Sequence, residues 1–253
     1  MKILLPVFIL INNLFFGQYH APDFDITKFI NDGGISKEIY TQQNGQLKLD
    51  EKYSFDRYSN TIKVILDKDM NNGTSLIGLD YILDKENRIS EEKNHFKDNQ
   101  LNEKFTQIIK YRYTKSSKQL SYYDSNNKVY LKTFFFYNDK DEVVESITVS
   151  NDDLILHERT INYKLNNYEI SETEKFTFPK YKTVTKREFD KNGFPIYTES
   201  KIDIYSTPKQ YIPDAILYFE NEVDKKGNLS KKYIIYNKKK ELIEKVITEY
   251  SSQ

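Results

Sequence analysis

The chain of 253 residues has no cysteine and no tryptophan, and only two methionines, three histidines, six prolines and eight glycines. Without cysteine there is no disulfide framework, no lipid-bearing cysteine anchor and no thiolate zinc site. The histidines stand at positions 20, 95 and 157, so no two have metal-ligand spacing, and each reads as an ordinary surface or strand residue. Net charge is missing too: 38 basic side chains balance 38 acidic ones. No chain-wide field draws such a protein to nucleic acid or to an anionic membrane, so neither is an expected partner. The hydrophobic share is low at 38%, but the aromatic share is 15%, with 21 Tyr and 16 Phe. Disordered chains have few aromatics and a large net charge, so this composition points to a packed protein.

Long apolar runs are equally scarce. The one candidate runs from Ile3 to Phe16, behind a single positive residue, Lys2. It is too short for a bilayer, which needs roughly 20 residues, and has the layout of a secretory signal peptide over residues 1–17. The segment Phe15-Phe16-Gly17-Gln18 resembles signal ends common in the Bacteroidetes phylum, although Phe15 departs from the usual small residue. The expectation is cleavage near Gly17, a periplasmic or secreted mature chain over residues 18–253, and no transmembrane segment after cleavage.

What the chain has in abundance is a loose repeat. An aromatic or aliphatic residue is followed by Asp or Asn, two or three turn residues, and an aliphatic that restarts an alternating run. It occurs as Leu83-Asp84 to Ile89, Tyr123-Asp124 to Val129, Tyr137-Asn138 to Val143, Phe189-Asp190 to Phe194, Val223-Asp224 to Leu229 and Tyr236-Asn237 to Leu242. The Asp/Asn positions 124, 138 and 151 are 14 and 13 apart, and 224 and 237 are 13 apart. Each step holds a strand and a turn, because Asp and Asn bond their own backbone two residues on, while Gly or Asn later accepts positive φ at low cost. Asn44-Gly45 is a hairpin signal in itself, and Asp25 to Phe29 read as one helical turn before Gly33-Gly34. The fold class expected is all-β: an antiparallel meander of repeated hairpins forming an extended twisted sheet or an open barrel. Residues 18–253 read as one β-repeat domain, with irregular breaks at Phe178-Pro179 and near 206–213, where prolines interrupt ladder pairing.

The aromatic-Asp-x-x-Gly pattern, closest to complete at Phe189 to Gly193 and Val223 to Leu229, resembles the YD-repeat of the RHS family. The looser form resembles MORN-type meander repeats of antitoxin-like proteins. The resemblance spans most of residues 50–250. It implies a structural or binding sheet and brings no catalytic residues.

Chemistry-bearing clusters are few. Gly73-Thr74-Ser75-Leu76-Ile77-Gly78 has one residue too many for a nucleophile elbow. Asp67 to Gly73 begins like a calcium loop, but Gly comes one place late and Gly78 stands where a bidentate Glu is needed, so a plain turn is expected. Asp139, Asp141, Glu142 and Glu145 offer carboxylates to a glycosidase, yet a solvated hairpin explains them more simply. Lys238-Lys239-Lys240 reads as a solvated turn. No metal, cofactor or catalytic set emerges.

The remaining lead is aromatic. Tyr122, Tyr123, Tyr130, Phe134 and Phe136 lie on adjacent expected strands and form a candidate partner surface, or else cross-strand core pairs. The functional expectation is an exported non-enzymatic module that binds a protein or glycan, or serves as a scaffold. The alternatives are an immunity-type protein neutralising a secreted toxin and a carboxylate-based hydrolase.

Overall fold

The computed structural model describes residues 26–70, 73–164, 169–177, 181–204 and 215–251. The signal segment, Asp25, Phe178-Pro179 and the 206–213 break lie outside the described residues. One short helix, α1 (Ile26–Asn31), precedes sixteen strands. The first six are β1 (Gly34–Gln43), β2 (Gln46–Asp56), β3 (Thr61–Asp69), β4 (Thr74–Leu83), β5 (Ile89–Asp98) and β6 (Lys104–Tyr113). Then follow β7 (Ser117–Tyr123), β8 (Val129–Tyr137), β9 (Val143–Ser150), β10 (Ile155–Lys164) and β11 (Glu169–Phe176). The last are β12 (Tyr181–Phe189), β13 (Pro195–Ile204), β14 (Ala215–Val223), β15 (Leu229–Tyr236) and β16 (Lys239–Tyr250).

The meander is as the repeat predicts, but it does not stay open. Strand order runs consecutively, and β1 pairs with both β2 and β16, closing the barrel. The closing ladder registers Lys37 with Thr248 and Ile39 with Val246, and its register shifts at a bulge between Gly34 and Ser36. Closure removes both sheet edges, whose unpaired backbone groups would otherwise invite edge-to-edge association.

The hairpins explain the repeat. At Asp84 the side-chain Oδ1 accepts from the N–H groups of Glu86 and Arg88. The Asp84 N–H donates to the Arg88 carbonyl, and the Asn87 N–H donates back to the Asp84 carbonyl. The same bonds recur at Asp124, Asn138, Asp190 and Asp224. The fourth residue is always left-handed: Asn87 (φ 59°), Asn127 (58°), Asp141 (60°), Gly193 (85°) and Gly227 (78°). Asn, Asp and Gly are the residues that tolerate that region. Two expectations shift in detail. The turn expected at Asn151 begins one residue earlier, where Ser150 supplies the acceptor Oγ and Asp153 takes φ 57°. At Tyr236-Asn237 the connection is a two-residue hairpin, with Asn237 at 48° and Lys238 at 62°, as Asn44-Gly45 is at 52° and 80°.

Two compact units emerge. Among the described residues, the first comprises 26–108, 224–230 and 244–251; the second comprises those within 109–223 and 231–243. In the first, Tyr53, Ile62, Val64, Leu66, Leu79 and Tyr81 fill the buried face of β2 to β4. Burying each aliphatic there contributes about 1.5 to 3 kcal/mol. Phe29 of α1 belongs to this core and lies against Gly34, where a Cβ would sit 2.2 Å from its ring. Glycine at 34 is therefore the close approach that lets α1 pack. Beside it, Asp32 meets Lys28 Nζ at 2.6 Å and Asn228 Nδ2 at 3.1 Å, and Tyr250 donates its hydroxyl to Asp224 at 2.6 Å.

Candidate functional site

In the second unit the buried face is filled differently. Strand register lines up cross-strand neighbours, and their Cβ atoms lie about 4.5 to 5.5 Å apart. One rung runs Leu120, Thr133, Thr148, His157, Phe176 across β7 to β11. The next runs Lys118, Phe135, Ser146, Arg159, Glu174, Thr183 across β7 to β12. Thr133, Ser146, Thr148 and His157 are each at most 1% exposed, yet all four are polar.

Buried polar groups must find partners, and most of these do. The hydroxyls of Thr133 and Thr148 are 3.0 Å apart, and those of Thr185 and Ser200 on the same face are 3.2 Å apart. His157 Nε2 lies 3.4 Å from Glu174 Oε1, with its ring 4.3 Å from that of Phe176. Glu174 Oε2 accepts from Thr183 Oγ1 at 3.1 Å. Burial pushes the Glu174 carboxyl up, but the bond and charge of His157, with Arg159 and Thr183, outweigh it and hold the pKa below the usual value. At the other end of the rung, Lys118 Nζ lies 4.5 Å from the Phe135 ring centroid and 5.9 Å from that of Tyr111. Two buried atoms of this face fall short: Ser146 Oγ has no hydrogen-bond partner among the described residues, and His157 Nε2 meets Glu174 only in the 3.4 Å ion-pair contact.

The floor of this surface is closed, while its rim admits solvent. Lys118, Phe135, Arg159 and Glu174 are half-buried around the fully buried Ser146, Thr148 and His157. Farther along the same face, Ser200 pairs with Ala215 and Thr198 with Leu217, and Leu217 is 41% exposed.

The opposite, exposed face of the strands is charged and paired. Lys52 bonds Glu38 across β1 and β2 at 2.8 Å, and Ser36 donates to Glu249 at 2.7 Å. Lys186 lies 3.3 Å from Glu188, and Lys201 3.2 Å from Glu199. Lys63, Ile65 and Asp67 alternate with the buried Ile62, Val64 and Leu66 along β3.

The aromatic residues singled out from sequence fall on both faces. Tyr122 pairs with buried Leu131 and so shares the buried face, with a bulge before Tyr123. The Tyr122 and Tyr130 rings are 6.4 Å apart. Tyr123 lies under Lys110 Nζ at 4.9 Å. Phe134 pairs with Ile147 and Phe136 with Glu145 on the exposed face, where Phe136 is 37% exposed. A strand with rings on both faces cannot turn them all outward.

The other sequence candidates are placed as follows. Ser75 is buried at the start of β4 and bonds Asn99, while Gly78 backs onto the Val64 carbonyl. Asp139 and Asp141 are exposed turn residues, and Glu145 is exposed on β9. His20 lies outside the described residues. His95 sits between Asp80 Oδ2 at 3.2 Å and Thr106 Oγ1 at 3.1 Å. His157 is a strand residue of β10, 1% exposed. Alternation alone puts it on one face with Arg159 and Ile161, a signal that the scarcity of histidine obscured. Lys240, expected to be merely solvated, pairs with Glu220 at 2.5 Å and lies 3.8 Å from the Tyr233 ring centroid.

No protein-family model matches the chain, and no curated protein matches it. Among solved structures it is similar to a porin-like protein from Bacteroides uniformis, at 8% identity and a TM-score of 0.42, over 85% of this chain and 98% of that one.

Proposed function

We propose that the chain is an exported, non-enzymatic β-barrel that works in water, in the periplasm or outside the cell, by binding a polar ligand on the buried face of its second unit. The observation that supports this most is the filling of that face. Hydroxyl, imidazole, guanidinium and carboxylate groups share two adjacent rungs across β7 to β12, with Thr133, Ser146, Thr148 and His157 at most 1% exposed. Burying polar groups stabilises a fold less than burying apolar ones, so a barrel that only had to stand would gain by filling these rungs with apolar side chains. The exposed face supports the aqueous setting. A strand that faces hydrocarbon carries an apolar outer band, and a Lys or Arg there costs about 2 to 4 kcal/mol at the midplane. Here Lys52, Lys63, Lys132, Lys186 and Lys201 lie on that outer face.

The test uses the mature chain from Gln18, prepared without detergent and presented to a glycan array and to the envelope and secreted fractions of its source. The variant Thr133→Val/Thr148→Val keeps shape and removes the hydroxyl pair. Ligand capture by the wild type that falls in this variant, but not in Phe136→Ser, is the expected result. Capture unchanged in the valine variant, or a protein that stays soluble only in detergent, overturns the reading.

A further inference from the structure

We infer that Asn44, in the β1–β2 hairpin, is a modification site: in the folded protein it converts spontaneously to aspartate and isoaspartate. The sequence has three Asn-Gly pairs, Asn44-Gly45, Asn72-Gly73 and Asn192-Gly193, and Asn72 lies outside the described residues. Asn-Gly is the reactive pairing because glycine places no side chain beside the backbone nitrogen that attacks. The two described pairs are both exposed, so solvent access does not separate them. Their turns do. Asn44 and Gly45 form a two-residue hairpin at φ 52° and 80°. Neither the Asn44 side-chain amide nor the Gly45 N–H has a hydrogen bond among the described residues, and a Cβ at Gly45 would meet nothing within 4 Å. Asn192-Gly193 sits instead in the Asp190 turn. There the Asn192 N–H donates to Asp190 Oδ1 at 2.8 Å, the Gly193 N–H to the Asp190 carbonyl at 3.0 Å, and the Phe194 N–H to Oδ1 at 3.0 Å.

The chemistry needs only water and base. The Gly45 nitrogen loses its proton to hydroxide and attacks Asn44 Cγ. The N–Cγ bond forms, the Cγ–Nδ2 bond breaks, and Nδ2 leaves as ammonia with a proton taken from water, so a five-membered succinimide remains. Water then opens the ring. Cleavage between the nitrogen and Cγ gives aspartate, and cleavage between the nitrogen and the Asn44 backbone carbon gives isoaspartate. Attack requires the backbone of Asn44 to rotate until Cγ meets the nitrogen. The hairpin beneath resists this weakly: its last pair is Gln43 with Gln46, both exposed, and fraying at such a tip costs little. At Asn192 the same rotation disrupts the bonds to Asp190, one of them made by the attacking nitrogen itself. The two products differ in consequence. Aspartate tolerates left-handed φ, and Asp-Gly makes the same two-residue turn, so the ladder stays. Isoaspartate routes the backbone through the side chain and adds one atom to the loop, which unpairs Gln43 from Gln46.

The experiment incubates the full mature protein at mildly alkaline pH, one sample folded and one in denaturant. Conversion of amide to acid is followed by peptide mass mapping, with chromatographic separation of aspartate from isoaspartate. In denaturant the two pairs should convert at similar rates, since both present the same glycine. In the folded protein Asn44 should convert severalfold faster than Asn192. Asp190→Ala should raise conversion at Asn192 and leave Asn44 unchanged; the wild-type comparison decides the matter if that variant fails to fold. Hydrogen exchange at Gln43 and Gln46 should quicken in the isoaspartate fraction and not in the aspartate fraction. An Asn44 that stays intact in the folded protein, over the time in which denaturant converts it, overturns the inference, as does equal or faster conversion at Asn192. Conversion at Asn192 that ignores Asp190→Ala in a folded variant also counts against it, because turn bonding would then not set the rates.

Discussion

The two units are built from the same hairpin, and β2 to β4 of the first differ from β8 to β10 of the second in what fills the buried face. In β2 to β4 the buried face is a packed apolar core, with Ile62 at 0% and Tyr81 at 2% exposure. In β8 to β10 the equivalent face carries Thr133, Ser146, Thr148 and His157 at the same depth. Strand geometry does not distinguish them, since both alternate with period 2 and both use bulges near strand ends. The lesson is local: the same strand geometry accepts an apolar cluster in β2 to β4 and polar rungs in β8 to β10, while Glu92 and Asn94 on β5 show that the first unit buries polar groups as well.

The sharpest way to break that comparison is to delete one side chain from each face. Ile62→Ala should cost about 2 to 5 kcal/mol by chemical denaturation, the range for a buried large-to-small change. Ser146→Ala, at equal depth, should cost nothing measurable, because no bond is lost. Equal losses at the two sites would mean that both faces are ordinary core.

Next in size is Glu174→Gln. Removing a hydrogen-bonded charge partner from a buried pair should cost about 1 to 3 kcal/mol near neutral pH. The sign with pH follows from the lowered pKa of Glu174. Its contribution is present above the unfolded carboxyl pKa and is lost as pH falls through the lower folded value. The wild type should therefore lose its advantage over Glu174→Gln below about pH 4.5. An advantage that persists at lower pH would show that His157 does not depend on the carboxylate.

Turns should respond alike in both units, which sharpens the comparison by a control. Asp84→Ala and Asp124→Ala each remove one acceptor that serves two backbone N–H groups. Each should cost about 1 kcal/mol in denaturant midpoint measurements. Unequal costs would show that the hairpins differ in more than their filling.

The smallest effect belongs to the outer face. Lys52→Ala breaks an exposed pair with Glu38, and Lys201→Ala one with Glu199. Exposed pairs are worth about 0 to 1 kcal/mol, so both variants should stay within the error of a melting curve. A large loss at either would contradict the water-facing assignment.

Much of the architecture was legible residue by residue. Asp84, Asp124, Asn138, Asp190 and Asp224 announce their turns because the side chain that bends the chain is next to the backbone it bonds. Val129 to Tyr137 announces a strand by alternation, and its rings on both faces foretell that Tyr122 and Phe134 cannot share one surface. The candidate site was not legible in this way. Ser146, His157 and Glu174 are ordinary residues at unremarkable spacings, and only register across β9, β10 and β11 makes them neighbours.

Local chemistry, then, belonged to the sequence alone: hairpin turns, strand alternation and an all-β meander all rest on interactions between residues a few positions apart. Closure of the barrel and the polar rungs belonged to tertiary structure. Lys37 meets Thr248 and Lys118 aligns with Glu174 only through ladders summed over many strands. A one-residue change in any of those registers would turn a side chain to the other face, and no local pattern records that sum.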